Sequence, residues 1–176
     1  RVVRFGGKAD RVDRADDGTI HVVDYKTGSA NGYKRLCEED PDQRGTMLQL
    51  VVYGIAARLH GGDDEAPVNA EYWFVSKRGE FKPIGYGITP AVLQHVATTL
   101  GTMVAGIEAG AFPNHPTAQS TSMWIECDSC DPDGLGVTEL RTRWDRKRHD
   151  PAFAPYADLA EPLEDAVAGA GERNGD

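Results

Sequence analysis

Three side chains near the start of the chain, Asp10, Asp24 and Lys26, have the types and spacing for chemistry on phosphate esters. Thr19 to Gly28 (TIHVVDYKTG) reads as a strand, built on Ile20, Val22 and Val23. Strand alternation puts Asp24 and Lys26 on one face and Tyr25 on the other. The turn signal Asp16-Asp17-Gly18 folds this strand back on the preceding segment. Asp10 then comes to the same region of the hairpin as Asp24. Two carboxylates suit magnesium, which keeps several waters and takes one or two protein carboxylates plus substrate phosphates. The Tyr25 carbonyl would be a further ligand. Lys26 would orient or help deprotonate an attacking water, or stabilise charge on the phosphate as it becomes pentacovalent. The arrangement fits metal-assisted phosphodiester hydrolysis. On this stretch alone an ion pair at a strand edge, worth little to stability, fits equally.

The elements that must position these groups are legible in outline. Val2 to Ala15 reads as a first strand, with Gly6-Gly7 marking a bend, a bulge or a close backbone approach. Ser29 to Asp42 is a polar connector, expected to be a mobile loop beside the site. Gln43 to His60 reads as a helix, its apolar stripe formed by Met47, Leu48, Leu50, Val51, Ile55, Ala56 and Leu59. Gln49 and Tyr53 lie four apart and share a face of it; a tyrosine so placed is by itself more often a residue of the core edge. Val68 to Ser76 and Glu80 to Ile88 read as two strands joined by a turn at Lys77-Arg78-Gly79. A second helix starts at Pro90, capped by Thr89, and runs to about Ala109. Leu135 to Arg148 reads as a short basic helix and Leu159 to Val167 as a weak one, and the last residues, GAGERNGD, are expected to be disordered.

The 176 residues, 40% of them apolar, suffice for one domain with a sizeable core. The mean hydropathy of −0.47 and the lack of any long apolar run predict no membrane span. Three cysteines argue against a disulfide framework and for a reducing compartment, so a cytoplasmic location is expected. The opening residues have no signal-peptide anatomy and read as a strand under way, so the chain is expected to be part of something longer. A net charge of −9 disfavours nucleic acid only at first sight, since a metal site collects carboxylates on purpose. The Ala- and Pro-rich stretch after Asp150 carries six acidic residues against the single basic Arg173. Residues 1–148 are therefore read as the functional domain and 149–176 as an acidic, partly disordered tail.

Three motifs occur in order: Gly7-Lys8-Ala9-Asp10-Arg11-Val12-Asp13, then Val23-Asp24-Tyr25-Lys26-Thr27-Gly28, then Gln49-Leu50-Val51-Val52-Tyr53. Together they resemble the PD-(D/E)XK nuclease superfamily, and within it the RecB- and AddB-type nuclease domains and related exonucleases. The resemblance implies a restriction-endonuclease-like α/β core, a mixed central β-sheet flanked by α-helices. It implies a Mg2+- or Mn2+-dependent deoxyribonuclease, exonucleolytic rather than endonucleolytic, serving DNA repair or recombination alone or joined to a helicase. In such a domain Asp10 and Asp24 bind the metal and Lys26 is catalytic. Gln49 and Tyr53, from the Q-x-x-x-Y motif, line the site and contact DNA. Arg141 and Arg143 in the basic run are candidates for phosphate contact, although charged runs are usually solvated faces.

Two departures from the family pattern stand out. The helix that precedes the first motif in the family, and often brings a histidine or acidic residue to the metal, is expected to be missing here. Many RecB-type nucleases also hold an iron–sulfur cluster with one upstream and three downstream cysteines. Cys127-x-x-Cys130 matches the start of the downstream group, but the third cysteine and the upstream one are absent, and Cys37 falls in the connector. Two thiolates do not hold a four-iron cluster, so none is expected. Cys127 and Cys130 read as a vestigial turn against Trp124, with zinc, completed by His115 or His149, as the alternative. Two rivals to an enzyme are a catalytically silent nuclease-fold module that holds DNA or a partner, and an acidic assembly domain whose carboxylates form surface ion pairs.

Overall fold

The computed structural model describes residues 2–113, 115 and 137–161. The chain divides into two compact units, residues 1–100 and 101–176.

In the first unit, strand β1 (Arg11–Arg14) turns through Asp16-Asp17-Gly18 into β2 (Ile20–Lys26). Gly18 has φ +88°, its amide donates to the Ala15 carbonyl, and the Thr19 amide donates to Asp17 Oδ1 at 2.9 Å. Helix α1 (Gln49–His60) then crosses to β3 (Val68–Phe74), β4 (Pro83–Gly87) returns, and helix α2 (Pro90–Glu108) follows, its residues 90–100 belonging to this unit. The four strands form one mixed sheet in sequence order: β1 and β2 antiparallel, β2 and β3 parallel, β3 and β4 antiparallel. A parallel pair cannot be closed by a tight turn, and the connector with α1 supplies the crossover. This is the α/β core with flanking helices expected from the motifs.

The core lies on one face of the sheet. Ile20 and Val22 of β2, Val68, Ala70, Tyr72 and Phe74 of β3, and Tyr86 of β4 meet Leu50 and Val51 of α1 and Val92 and Val96 of α2. The even-numbered residues of β2 thus face the core, and Asp24 and Lys26 continue that row. Gly54 lets α1 lie close to the sheet: a methyl group there would stand 2.6 Å from Ile88 Cγ1. The opposite face shows Tyr25 and Trp73, packed edge to face with centroids 6.2 Å apart, and Arg11 lies over the Trp73 ring.

Several element boundaries differ from the sequence reading, each for a local reason. The first strand is four residues long rather than spanning Val2–Ala15. Its ladder ends at the Arg11–Val23 pair, because the next free amide, that of Tyr25, donates to the Asp10 side chain at 2.9 Å. Helix α1 begins at Gln49 rather than Gln43, since Gln43, Arg44 and Gly45 have φ of +43°, +62° and +83°, outside the right-handed helical region. Strand β4 starts only at Pro83 because Glu80 and Phe81 are likewise left-handed. Thr89 does cap α2, accepting from the Val92 amide at 3.3 Å.

The connector is anchored rather than loose. Ala30, Leu36, Pro41 and Asp42 are buried. Tyr33, in a 3-10 turn at Asn31–Tyr33, packs edge to face on Tyr72 and Phe74. The buried Tyr86 hydroxyl donates to the Pro41 carbonyl at 2.6 Å.

In the second unit, Trp144 of α3 (Val137–Lys147) is wholly buried, with its ring against His115 and against Tyr156 of α4 (Ala154–Ala160). Glu161 gathers this unit: Oε2 accepts from Trp144 Nε1 at 3.2 Å and from Arg148 Nη1 at 2.7 Å, and Oε1 lies 2.9 Å from His115 Nε2. Of the weak helix expected at Leu159 to Val167, Leu159 and Ala160 close α4, while residues 162–167 and the terminal stretch expected to be disordered lie outside the described residues. No helix among the described residues is long and apolar enough to cross a membrane.

Burial raises the hydroxyl pKa of both Tyr72 and Tyr86, with nearby tyrosines and carboxylates adding to it. The folded state therefore holds two protons that the unfolded chain releases near pH ~10. Stability from this source is complete below that value and falls as the pH rises beyond it. Denaturant midpoints are expected to drop steadily above pH ~10. Tyr86→Phe is expected to flatten the drop while costing about 1–3 kcal/mol at neutral pH, because the Pro41 carbonyl loses its buried donor.

Candidate active site

The site is assembled at the end of β2, where the core-facing row turns polar. Asp24 is 4% exposed. A carboxylate that deep is costly unless other groups satisfy it, and two do. Gln49, the first residue of α1, donates from Nε2 to Asp24 Oδ1 at 2.9 Å. Lys26 Nζ approaches Asp24 Oδ2 at 2.5 Å. Gln49 also joins the pair to itself, because its Oε1 accepts from Lys26 Nζ at 3.1 Å. The Lys26 ammonium stands 4.7 Å from the centre of the Tyr72 ring, a cation–π contact that fixes its height above the sheet.

Backbone contacts fix the strand end itself. The Val75 amide donates to the Lys26 carbonyl at 2.9 Å, and Ser76 Oγ donates to the Thr27 carbonyl at 2.8 Å. On the other side, Asp10 Oδ2 holds the Tyr25 amide. The β1–β2 register, extended by one pair beyond Arg11–Val23, sets Asp10 opposite Asp24. Tyr53, one turn along α1, accepts from Gln49 Nε2 at 3.2 Å. Its ring lies against Gly7, where a Cβ would stand 2.9 Å from Tyr53 Cε1. Gly7 is therefore a point of close approach, one of the three readings open for the glycine pair.

Asp24 and Lys26 of β2 and Gln49 and Tyr53 of α1 thus form one hydrogen-bonded and ion-paired group, and Asp10, just before β1, is tied to the same strand end through the Tyr25 amide. Tyr25 contributes its amide to that group, while its side chain lies on the opposite face. Arg141 and Arg143 belong to α3 in the second unit, with Arg143 exposed. Cys127 and Cys130 lie outside the described residues. The two candidate zinc-completing histidines differ: His149 is exposed, while His115 has both ring nitrogens engaged, Nδ1 with the Tyr156 hydroxyl at 3.2 Å and Nε2 with Glu161. Zinc at His115 would have to displace one of them.

The donor set fits a hard divalent cation. Asp24 Oδ2 is buried and has no hydrogen bond, only the ion-pair approach of Lys26. Asp10, one pair beyond Arg11–Val23 in the β1–β2 register, supplies a second carboxylate of the kind that oxygen-ligated ions take.

A second cluster escaped the sequence reading. Asp40 and Asp42 of the connector and His95 of α2 place one ligand atom each within 4.8 Å of one another. The Asp40-Pro41-Asp42 pair was visible as acid in a connector, but its meeting with His95 is tertiary.

Gln49→Leu is expected to lower stability by about 1–3 kcal/mol, since it strips a partner from a buried carboxylate and from its ammonium. A urea unfolding series reads this directly; a midpoint equal to that of the unsubstituted chain would mean that Gln49 does not join the two.

A model of the PD-(D/E)XK nuclease superfamily matches residues 1–133. No curated protein and no solved structure matches the chain. Nucleases of this superfamily depend on divalent metal, in keeping with a donor set of buried carboxylate oxygen beside a lysine. The match takes in the hairpin, the crossover helix and the whole sheet, and by it the chain belongs to the PD-(D/E)XK nuclease superfamily.

Proposed function

We propose that this chain hydrolyses DNA phosphodiesters with Mg2+ or Mn2+, using Asp10 and Asp24 as metal ligands, the Tyr25 carbonyl as a further one, and Lys26 as the catalytic lysine. The observation that carries the reading is the buried Asp24 carboxylate, joined to Lys26 through Gln49 on one face of β2. When bound, the ion would polarise the scissile phosphate and acidify a water. Lys26, held by Gln49 and the Tyr72 ring, would orient that water and offset the charge that builds on the phosphate oxygens. Gln49 and Tyr53 would form the wall against which the DNA backbone lies, and Arg141 and Arg143 would add phosphate contacts.

The three motifs support a finer assignment to the RecB type: an exonuclease of repair or recombination, alone or coupled to a helicase, with residues 1–148 as the nuclease domain. A cytoplasmic place of action belongs to the same proposal and rests on the low cysteine count.

The test is cleavage of linear single- and double-stranded DNA with Mg2+ or Mn2+. Asp24→Asn and Lys26→Ala are each expected to lower the rate by about 100-fold or more, with circular dichroism showing that both still fold. Cleavage that is unchanged in both variants, or absent in a well-folded unsubstituted protein, would sink the enzyme and leave a nuclease-fold binding module.

A further inference from the structure

We propose that Asp40, Asp42 and His95 form a second divalent-cation site, which shares no residue with the Asp10, Asp24 and Lys26 group. Asp42 is wholly buried. Its Oδ1 accepts from the Gly45 amide at 3.1 Å and lies 3.6 Å from His95 Nε2, too long for a hydrogen bond. Its Oδ2 is buried and has no hydrogen-bond partner at all.

An ionised oxygen left bare in a dry place is costly, and proteins relieve that cost with a proton, a donor or a cation. Here no donor lies within hydrogen-bond distance of Oδ2. Asp40 offers another carboxylate oxygen and His95 an imidazole nitrogen, with all three ligand atoms inside 4.8 Å of one another. Ligands around one first-row ion at bonds of roughly 2.1 Å stand about 3–4 Å apart. A contraction of at most about 1–2 Å, taken up by the half-exposed Asp40 and the exposed His95, would close the set. Two carboxylates and an imidazole suit manganese, iron(II) or zinc, with waters completing the shell.

The consequence is mechanical. Asp40 and Asp42 sit on the connector that runs from β2 to α1, and His95 sits on α2. The Asp42 carbonyl accepts from the Met47 amide at 2.8 Å, directly before the helix that begins with Gln49. A cation would therefore clamp the connector to α2 and fix the approach of Gln49 to Asp24.

The experiment is a Mn2+ titration of the full chain, with the free ion read by electron paramagnetic resonance. Manganese is chosen because thiolates hold it poorly, so Cys127 and Cys130 do not compete. In an Asp24→Asn background, which removes the buried carboxylate of the other group, one Mn2+ is expected to bind and to broaden the His95 ring resonances. Adding His95→Ala or Asp40→Asn is expected to weaken that binding at least tenfold. Both residues are solvent-accessible, so the substitutions spare the core. Should Asp24→Asn fold poorly, the same comparison is made in the unsubstituted chain, where His95→Ala is expected to lose one equivalent. Equal Mn2+ binding with and without His95 and Asp40, or His95 resonances untouched by the ion, would overturn the proposal. Neither readout depends on DNA cleavage.

Discussion

Everything at the end of β2 follows from the burial of one carboxylate. Asp24 continues a row of apolar residues into the core, where a bare negative charge would cost several kcal/mol. The fold keeps it there by bringing a neutral amide from a helix and an ammonium from two residues along the same strand. Gln49 is suited to this because one side chain both donates and accepts, so it touches Asp24 and Lys26 at once. Its position depends on the crossover. Gln49 is the first residue of α1, and α1 can lie close enough only because Gly54 leaves room for Ile88.

That dependence explains why the connector is pinned so thoroughly. A loose segment between β2 and α1 would let Gln49 drift and leave Asp24 unsatisfied. Tyr33 against Tyr72 and Phe74, and Tyr86 on the Pro41 carbonyl, hold the segment at two separate points. The second unit shows the same economy on another residue: Glu161 collects an indole, a guanidinium and an imidazole around a buried tryptophan.

Much of this was legible in the sequence because strand alternation and helical spacing are local rules. Asp24 and Lys26 had to share a face, the Asp-Gly turn had to return the chain, and Gln49 had to share a face with Tyr53. What was hidden depends on long-range choices. The first strand reads as more than three times its true length because nothing local shows that Asp10 will take the Tyr25 amide. The helix seemed to start at Gln43 because an apolar stripe does not reveal left-handed residues at 43–45. Polarity suggested that the connector would be loose, yet its few apolar residues and its tyrosine partners decide the matter. The joining of Asp40 and Asp42 to His95 spans more than fifty residues and has no local trace.

The alternation of β2 has a further effect on how the chain can misfold. In a strand of period two, a slip of one residue exchanges the two faces entirely. Such a slip would drive Tyr25 toward α1 and turn Asp24 and Lys26 out beside Trp73, leaving Gln49 with neither partner. Because Ile20 and Val22 share the face of Asp24 and Lys26, the slip would forfeit apolar burial and polar pairing together. The residues with the most reactive character are thus also those that make the wrong alignment expensive, and the pairing that buries Ile20 and Val22 is the one that turns Asp24 and Lys26 toward Gln49.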